Sequence, residues 1–258
     1  MRAADAVTAR APIAPPPPDA WPRARIVAHR GIYDNRQVFE NTLDAFDAAR
    51  AAGIWGLECD VRWTRDGTAI VHHDPDGRRL FGVDTPIEDL TWPELHRRCP
   101  LIPTLDTVVA RYGRHLHLMI EVKAAVQTRP DRINQSLAEA LAPLEPERDF
   151  HLMSMTLDLL AAIEALPQRA CLPIAGLNVR AAARAVVAHG YGGLTGHYAL
   201  IGRRRIADLH RRGRRIGTGF VNSRGCLFRE MARGIDWLFT DRALVLRRLV
   251  RRGAGVCG

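Results

Sequence analysis

From Arg25 onward, short runs of β-branched and other apolar residues alternate with longer amphipathic stretches rich in Ala and Leu. Runs of 4–8 residues with period-2 or continuous apolar character predict strands, and apolar positions three and four apart predict helices. Strands are expected at Arg25–Ala28, Gly56–Val61, Ala69–His73, Leu116–Val122, Phe150–Met155, Cys171–Leu177, Gly193–His197, Arg215–Val221 and Trp237–Phe239. Helices are expected at Thr42–Ala52, Ile133–Leu144, Leu157–Leu166, Ala181–His189, Arg203–Arg212 and Leu227–Arg233. Gly53, Gly190, Gly213 and Gly234 follow four of them, where a left-handed helix stop suits glycine alone. Alternation of this kind predicts βα units on a parallel sheet. The nine strand candidates exceed by one the eight places of a (β/α)8 barrel, so one of them is misread or lies outside the barrel.

The first residues break the pattern. Residues 1–24 are rich in Ala and Pro, with a run at Pro15–Pro18, and are expected to form a disordered or extended arm. The fold class is then α/β, a single TIM-type barrel domain over residues 25–258. A length of 258 residues, 47% of them hydrophobic, is enough for its core. No fixed-period repeat is present. No apolar run reaches the roughly 18 residues that a membrane span requires, and the N-terminus lacks the order of a secretory signal, which places the chain in the cytoplasm. Cys59, Cys99, Cys171, Cys226 and Cys257 are widely spaced and odd in number, so they read as reduced thiols.

A net charge of +9 raises the question of nucleic acid. The arginine clusters, such as Arg203–Arg205 and Arg211–Arg212, sit beside apolar Ile206 and Leu209, as solvated helix faces do, and no aromatic residues interleave with them as base-stacking platforms. Nucleic acid is therefore disfavoured, while attraction to anionic substrates or a lipid surface stays open. Among 37 basic residues, Lys123 is the single lysine. A compact ammonium at one point hints at a small site that a guanidinium would not fit.

Ionisable residues collect at the carboxyl ends of successive predicted strands, where barrel enzymes build their sites. His29-Arg30 closes the first, Glu58-x-Asp60 lies on the second, His72-His73-Asp74 closes the third and Glu121-x-Lys123 the fourth. Strand side chains alternate, so Glu58 and Asp60 share a face, and Cys59 points outward. Three carboxylates, Glu58, Asp60 and Glu121, suit a hard divalent cation such as Mg²⁺ or Ca²⁺. Alternatively, Glu58 and Asp60 are structural partners of Arg62 or Lys123. Histidines at two strand ends could serve as the acid and base that a phosphodiester requires, with Arg30 and Lys123 on its phosphoryl oxygens.

The ordered set His29-Arg30-Gly31, Glu40-Asn41-Thr42, Glu58-x-Asp60-Val61-x-x-Thr64-x-Asp66-Gly67, His73-Asp74, Pro103-Thr104-Leu105, Glu121-x-Lys123, Ser154 and Thr240-Asp241-Arg242 resembles the signature of glycerophosphodiester phosphodiesterases over residues 25–246. The resemblance implies a TIM-type barrel, a cation on Glu58, Asp60 and Glu121, and His29 with His73 as the catalytic pair. It also prefers His73 to His72. Asp74 is expected to orient an imidazole or to cap a turn, and Glu40 and Asn41 to contact substrate or to cap a helix. The implied reaction is hydrolysis of a glycerophosphodiester to sn-glycerol 3-phosphate and an alcohol. Rival readings are a lysophospholipase D with the same residues, and a catalytically idle barrel that binds phosphate or nucleic acid. Phe39, the segment Pro75–Phe81 and Gly219 depart from the family pattern.

Overall fold

A computed structural model describes residues 13–123 and 130–255. Eight parallel strands close on themselves: β1 (Ile26–His29), β2 (Gly56–Trp63), β6 (His117–Val122), β7 (Phe150–Ser154), β8 (Cys171–Ala175), β9 (Gly193–His197), β10 (Arg215–Gly219) and β11 (Trp237–Thr240), with β11 and β2 both pairing with β1. Helices follow most strands and cover the outside. The expected barrel is therefore present.

The surplus strand is β3 (Ala69–Val71). It is not a barrel stave: β2 overshoots the barrel rim, the chain turns at Thr64–Thr68, and β3 returns antiparallel along it with Val71 opposite Val61. The expected series of four successive barrel strands ending in polar groups is corrected accordingly. The returning strand brings His72 back level with Asp60, whose carbonyl accepts its N–H at 2.9 Å. A small hairpin of β4 (Asp76–Gly77) and β5 (Val83–Pro86) follows, seated on its own apolar cluster around Ile70, Ile87, Leu95 and Ile102.

Inward and outward faces separate as the period of two requires. Leu57, Cys59 and Val61 enter the layer between sheet and helices, while Val27, Met119, Met153, Leu172, Trp237 and Phe239 fill the barrel interior. Gly53, Gly190, Gly213 and Gly234 all have φ between +64° and +74°, as their helix-stop positions predicted. Other boundaries moved. Helices at Trp92–Arg98, Leu105–Tyr112 and Ala243–Gly253 lacked a sequence expectation, and the one predicted over Leu157–Leu166 stops at Ala161. Strand β10 ends at Gly219 because Phe220 takes φ +60°, which a strand cannot continue.

Of the Pro-rich arm, residues 1–12 lie outside the described residues, as does Cys257. The expectation of an unpacked arm is corrected for Pro18–Arg23, a 3-10 helix whose Trp21 is 6% exposed and packs edge-on against Phe228. Proline supplies the φ of such a helix, and the indole supplies the apolar area that holds it down. The other four cysteines are buried and form no disulfide among the described residues.

Candidate active site

The site lies at the carboxyl ends of β1, β2 and β6. Parallel register sets His29 beside Glu58 and Asp60 beside Glu121, so residues distant in sequence become lateral neighbours. Ligand oxygens of Glu58, Asp60 and Glu121 all lie within 4.8 Å of one another. Glu58 and Asp60 are buried at 2% and 0% exposure.

Two cationic side chains, both expected here, enter this cluster. Lys123 Nζ donates to Glu121 Oε1 at 2.8 Å and lies 3.2 Å from Asp60 Oδ1. Arg30 donates through Nη1 to Glu40 at 2.8 Å, and its Nε lies 3.2 Å from Asp60 Oδ2. Burial would push Asp60 up, but Lys123 and Arg30 hold its carboxyl below the usual range. Glu58 shifts the other way, up to about 8, because burial and the neighbouring Asp60 charge outweigh His29. Glu121 is also raised, by burial and by Asp60. One oxygen of Glu58, Oε1, is buried without a hydrogen-bond donor. A carboxylate triad with two members held above their usual range and two buried oxygens, Glu58 Oε1 and Asp60 Oδ1, without a hydrogen-bond partner has the donor set that a hard divalent cation satisfies.

His29 and His73 approach the cluster from different sides, each with its outer nitrogen anchored. His29 Nδ1 donates to Asp241 Oδ1 at 2.7 Å, and its Nε2 lies 3.8 Å from Glu58 Oε2. Asp241 in turn accepts from Asn222 Nδ2 at 2.9 Å. His73 Nδ1 donates to Asp74 Oδ1 at 2.6 Å, and Asp74 Oδ2 accepts from Arg79 Nε at 2.6 Å. In both rings the carboxylate fixes Nδ1 as the protonated nitrogen, leaving Nε2 for chemistry. The environments differ in sign. Burial lowers the His29 pKa, but Glu58 and the Asp241 hydrogen bond more than reverse it, so it is raised. At His73 burial wins, helped by Arg30 and Lys123, and its pKa is lowered. His72 is elsewhere: it is buried, with Nε2 hydrogen-bonded to the Asp76 carbonyl at 2.9 Å.

Glu40 and Asn41 do not cap the following helix; Thr42 does, with Oγ1 accepting from Ala45 N at 3.5 Å. Asn41 instead donates to Asp60 Oδ2 at 2.8 Å, and Glu40 gathers Arg30, Asn35 and Arg79, whose hydrogen bonds overcome burial and hold it down to about 2. Arg30, Asn35, Asn41 and Phe220 have φ of +55° to +60°. Left-handed backbone at non-glycine residues is strained, and four such residues surround one site. Gly31, at φ +88°, passes so close to Ala45 that a Cβ would lie 2.8 Å from the alanine methyl. That approach lets the chain leave β1 tightly enough to aim Arg30 inward.

Sequence reasoning assigned no role to Arg79, Asn222 or Phe220. Phe220 sets its ring edge-on to His29 at 5.4 Å. Two departures from the family pattern also meet: Phe39 and Phe81 lie 5.6 Å apart. Only an alignment of homologues, or the fold itself, would have paired them.

Residues 29–245 match the model of the glycerophosphoryl diester phosphodiesterase family. The chain belongs to that family. Its members are phosphoric diester hydrolases. The family membership extends to relatives and folds of known shape. The chain is 28% identical over 248 residues to a protein of Mycobacterium tuberculosis named probable glycerophosphodiester phosphodiesterase 2, covering 88% of this chain and 91% of that one. A glycerophosphodiester phosphodiesterase from Thermotoga maritima superimposes with a TM-score of 0.73 at 25% identity, covering 88% of this chain and 98% of that one. An Oleispira antarctica phosphodiesterase, solved with the product sn-glycerol-3-phosphate, shares the fold with a TM-score of 0.75 at 22% identity, over 90% and 98% of the two chains. In this family member the signature residues at the barrel rim are the ones that converge.

Proposed function

We propose that the protein hydrolyses glycerophosphodiesters to sn-glycerol 3-phosphate and an alcohol, with His29 and His73 exchanging protons and a divalent cation held by Glu58, Asp60 and Glu121. The observation that carries this reading is the pair of imidazoles, each anchored through Nδ1 to its own carboxylate, with His29 3.8 Å from Glu58 and His73 interacting electrostatically with Asp60. A bound Mg²⁺ or Ca²⁺ would draw charge from the phosphoryl oxygens and lower the barrier to attack on phosphorus.

The chain's own residues supply the rest. Arg30 and Lys123 sit where they can bind non-bridging oxygens, with Glu40 and Asp60 fixing the guanidinium and Asp60 and Glu121 the ammonium. One imidazole Nε2 takes the proton of the attacking hydroxyl, or attacks directly. The other donates its proton to the alkoxide released as the P–O bond breaks. Asp241 and Asp74 keep each ring in the tautomer that presents Nε2, and Asn222 and Arg79 hold those carboxylates.

The test is release of glycerol 3-phosphate by purified protein from a panel of glycerophosphodiesters, with Mg²⁺, Mn²⁺ or Ca²⁺ and again with EDTA. Cation-dependent release is expected. Turnover that EDTA leaves untouched would remove the cation from the mechanism, and no turnover with any metal, from folded protein, would remove the reaction.

A further inference from the structure

The barrel rim that carries the site has a second feature away from the carboxylates. The loops after three successive strands each expose a large apolar side chain: Met155 after β7 at 57%, Leu177 after β8 at 95%, and Leu200 after β9 at 38%. A leucine left almost wholly in water at a loop tip forgoes the burial that apolar surface favours, and Leu177 and Leu200 line one groove. Between the last two loops runs a groove of about 760 Å³, lined by Leu177, Leu200, Arg180, Arg184, Arg204 and Arg205 among others. Among the described residues, none of these four arginines forms an ion pair, and the single acid of the lining, Asp208, is engaged by Arg211 and Arg212 at 3.3 and 3.5 Å.

Those arginines stand where the helices disfavour them. Val179–Ala188 and Arg203–Arg211 both begin at this rim with no acidic residue in the first turn, so Arg180, Arg204 and Arg205 oppose the positive helix ends. An apolar tip ringed by unpaired arginines is the pattern of a surface that dips into the headgroup layer, with its cations on the headgroup phosphates.

We propose that the rim formed by the loops after β7, β8 and β9 docks the protein on an anionic lipid bilayer, with Leu177 and Leu200 inserted and Arg180, Arg184, Arg204 and Arg205 on the headgroups. Because this rim belongs to the same barrel end as His29, His73 and the carboxylates, docking turns the mouth of the site toward the membrane. Docking itself stands on the surface alone; its use, access to phosphodiesters held in a bilayer, rests on the function proposed above.

The experiment is co-sedimentation of the full chain with vesicles of phosphatidylcholine alone and of phosphatidylcholine with phosphatidylglycerol, alongside hydrolysis of glycerophosphocholine in vesicle-free solution. The chain should bind the anionic vesicles. Leu177→Ser should weaken binding by at least about tenfold, the lower range for one buried leucine. Arg180→Gln with Arg184→Gln should weaken it about 30-fold, at roughly 1 kcal/mol per arginine. Both variants should hydrolyse the soluble diester as the parent does. Absence of vesicle binding overturns the proposal, as does binding that Leu177→Ser leaves unchanged. Arginine-dependent capture of duplex DNA without vesicle binding would make the groove a nucleic-acid surface and overturn it too. Vesicle binding by a chain that hydrolyses no soluble diester would uphold docking while removing the reaction proposed above.

Discussion

Histidines lie at both ends of this barrel, and the two ends use them differently. At the carboxyl end, His29 and His73 each meet an aspartate through Nδ1, and His29 Nε2 lies 3.8 Å from Glu58 Oε2. At the amino end, His117 and His151 meet each other: His117 Nδ1 donates to the Arg148 carbonyl at 3.0 Å, and His151 Nδ1 donates to His117 Nε2 at 2.8 Å. Trp55 stacks on His117 at 4.6 Å, and Trp237 meets His151 edge-on at 4.8 Å. Burial pushes the His117 pKa down to about 4, and burial with the His117 charge pushes His151 down to about 2. The amino-end pair is buried at 7% and 1% exposure, whereas His29 and His73 are only half-buried and each holds a carboxylate. Deeper burial without a carboxylate leaves the ring a neutral packing unit.

The comparison breaks most sharply under substitution. His29→Ala or His73→Ala should each lower kcat for glycerophosphodiester hydrolysis by at least about 100-fold, the lower range for a lost acid or base, in steady-state assays at saturating cation. Near-parental turnover in either variant would exclude that residue from the chemistry. By contrast, a His151→Gln variant that still folds should keep kcat close to the parent's.

Acid should expose the amino-terminal pair next. A histidine whose folded pKa lies near 4 is neutral in the native state and charges on unfolding below about 6.5, so the unfolded chain binds more protons between those values. The stability associated with His117 is complete above pH 6.5 and falls with pH, by up to about 3 kcal/mol at pH 4. Urea unfolding at pH 7 and pH 4.5 measures it. A pH slope that His117→Gln leaves unchanged would assign the acid lability to other groups.

Smaller effects should come from the carboxylates behind the catalytic rings. Asp241→Asn and Asp74→Asn keep shape but lose the charge that fixes the Nδ1 proton, and each should cost about 10-fold or more in kcat with little change in KM. Rates that stay parental would show that the tautomers are set by other contacts. The smallest expected effect is at Asn222, which touches Asp241 and no histidine. Asn222→Ala removes its bonds to the Asp241 carboxylate, the Asp241 N–H and Thr240 Oγ1, and should lower kcat only several-fold because Asp241 keeps its own bond to His29.

Much of the site was legible before the fold. Period-2 alternation put Glu58 and Asp60 on one face and Cys59 on the other, and the fold agrees. Alternation says nothing about which strands adjoin. Asp60 meets Glu121 because β2 pairs directly with β6, a contact across 61 residues that local pattern does not encode. The same limit hid the role of β3, whose apolar run looks like a barrel strand although it runs antiparallel. It also hid Arg79 and Asn222, whose partners Glu40, Asp74 and Asp241 are supplied by other segments.

The arm illustrates the opposite error. Its proline content argued against packing, yet one tryptophan outweighs that composition locally, because Trp21 finds Phe228 and the end of the last helix beneath it. The sequence by itself determined the βα alternation, the helix-stopping glycines, the inward carboxylates and the ordered family signature, since each depends on local sterics or on periodicity. The tertiary structure alone decided that Asp241 is the carboxylate partner of His29, which strand left the barrel, and that the exposed leucines share a rim with unpaired arginines. Those outcomes depend on distances between segments, and closure of the sheet is what sets them.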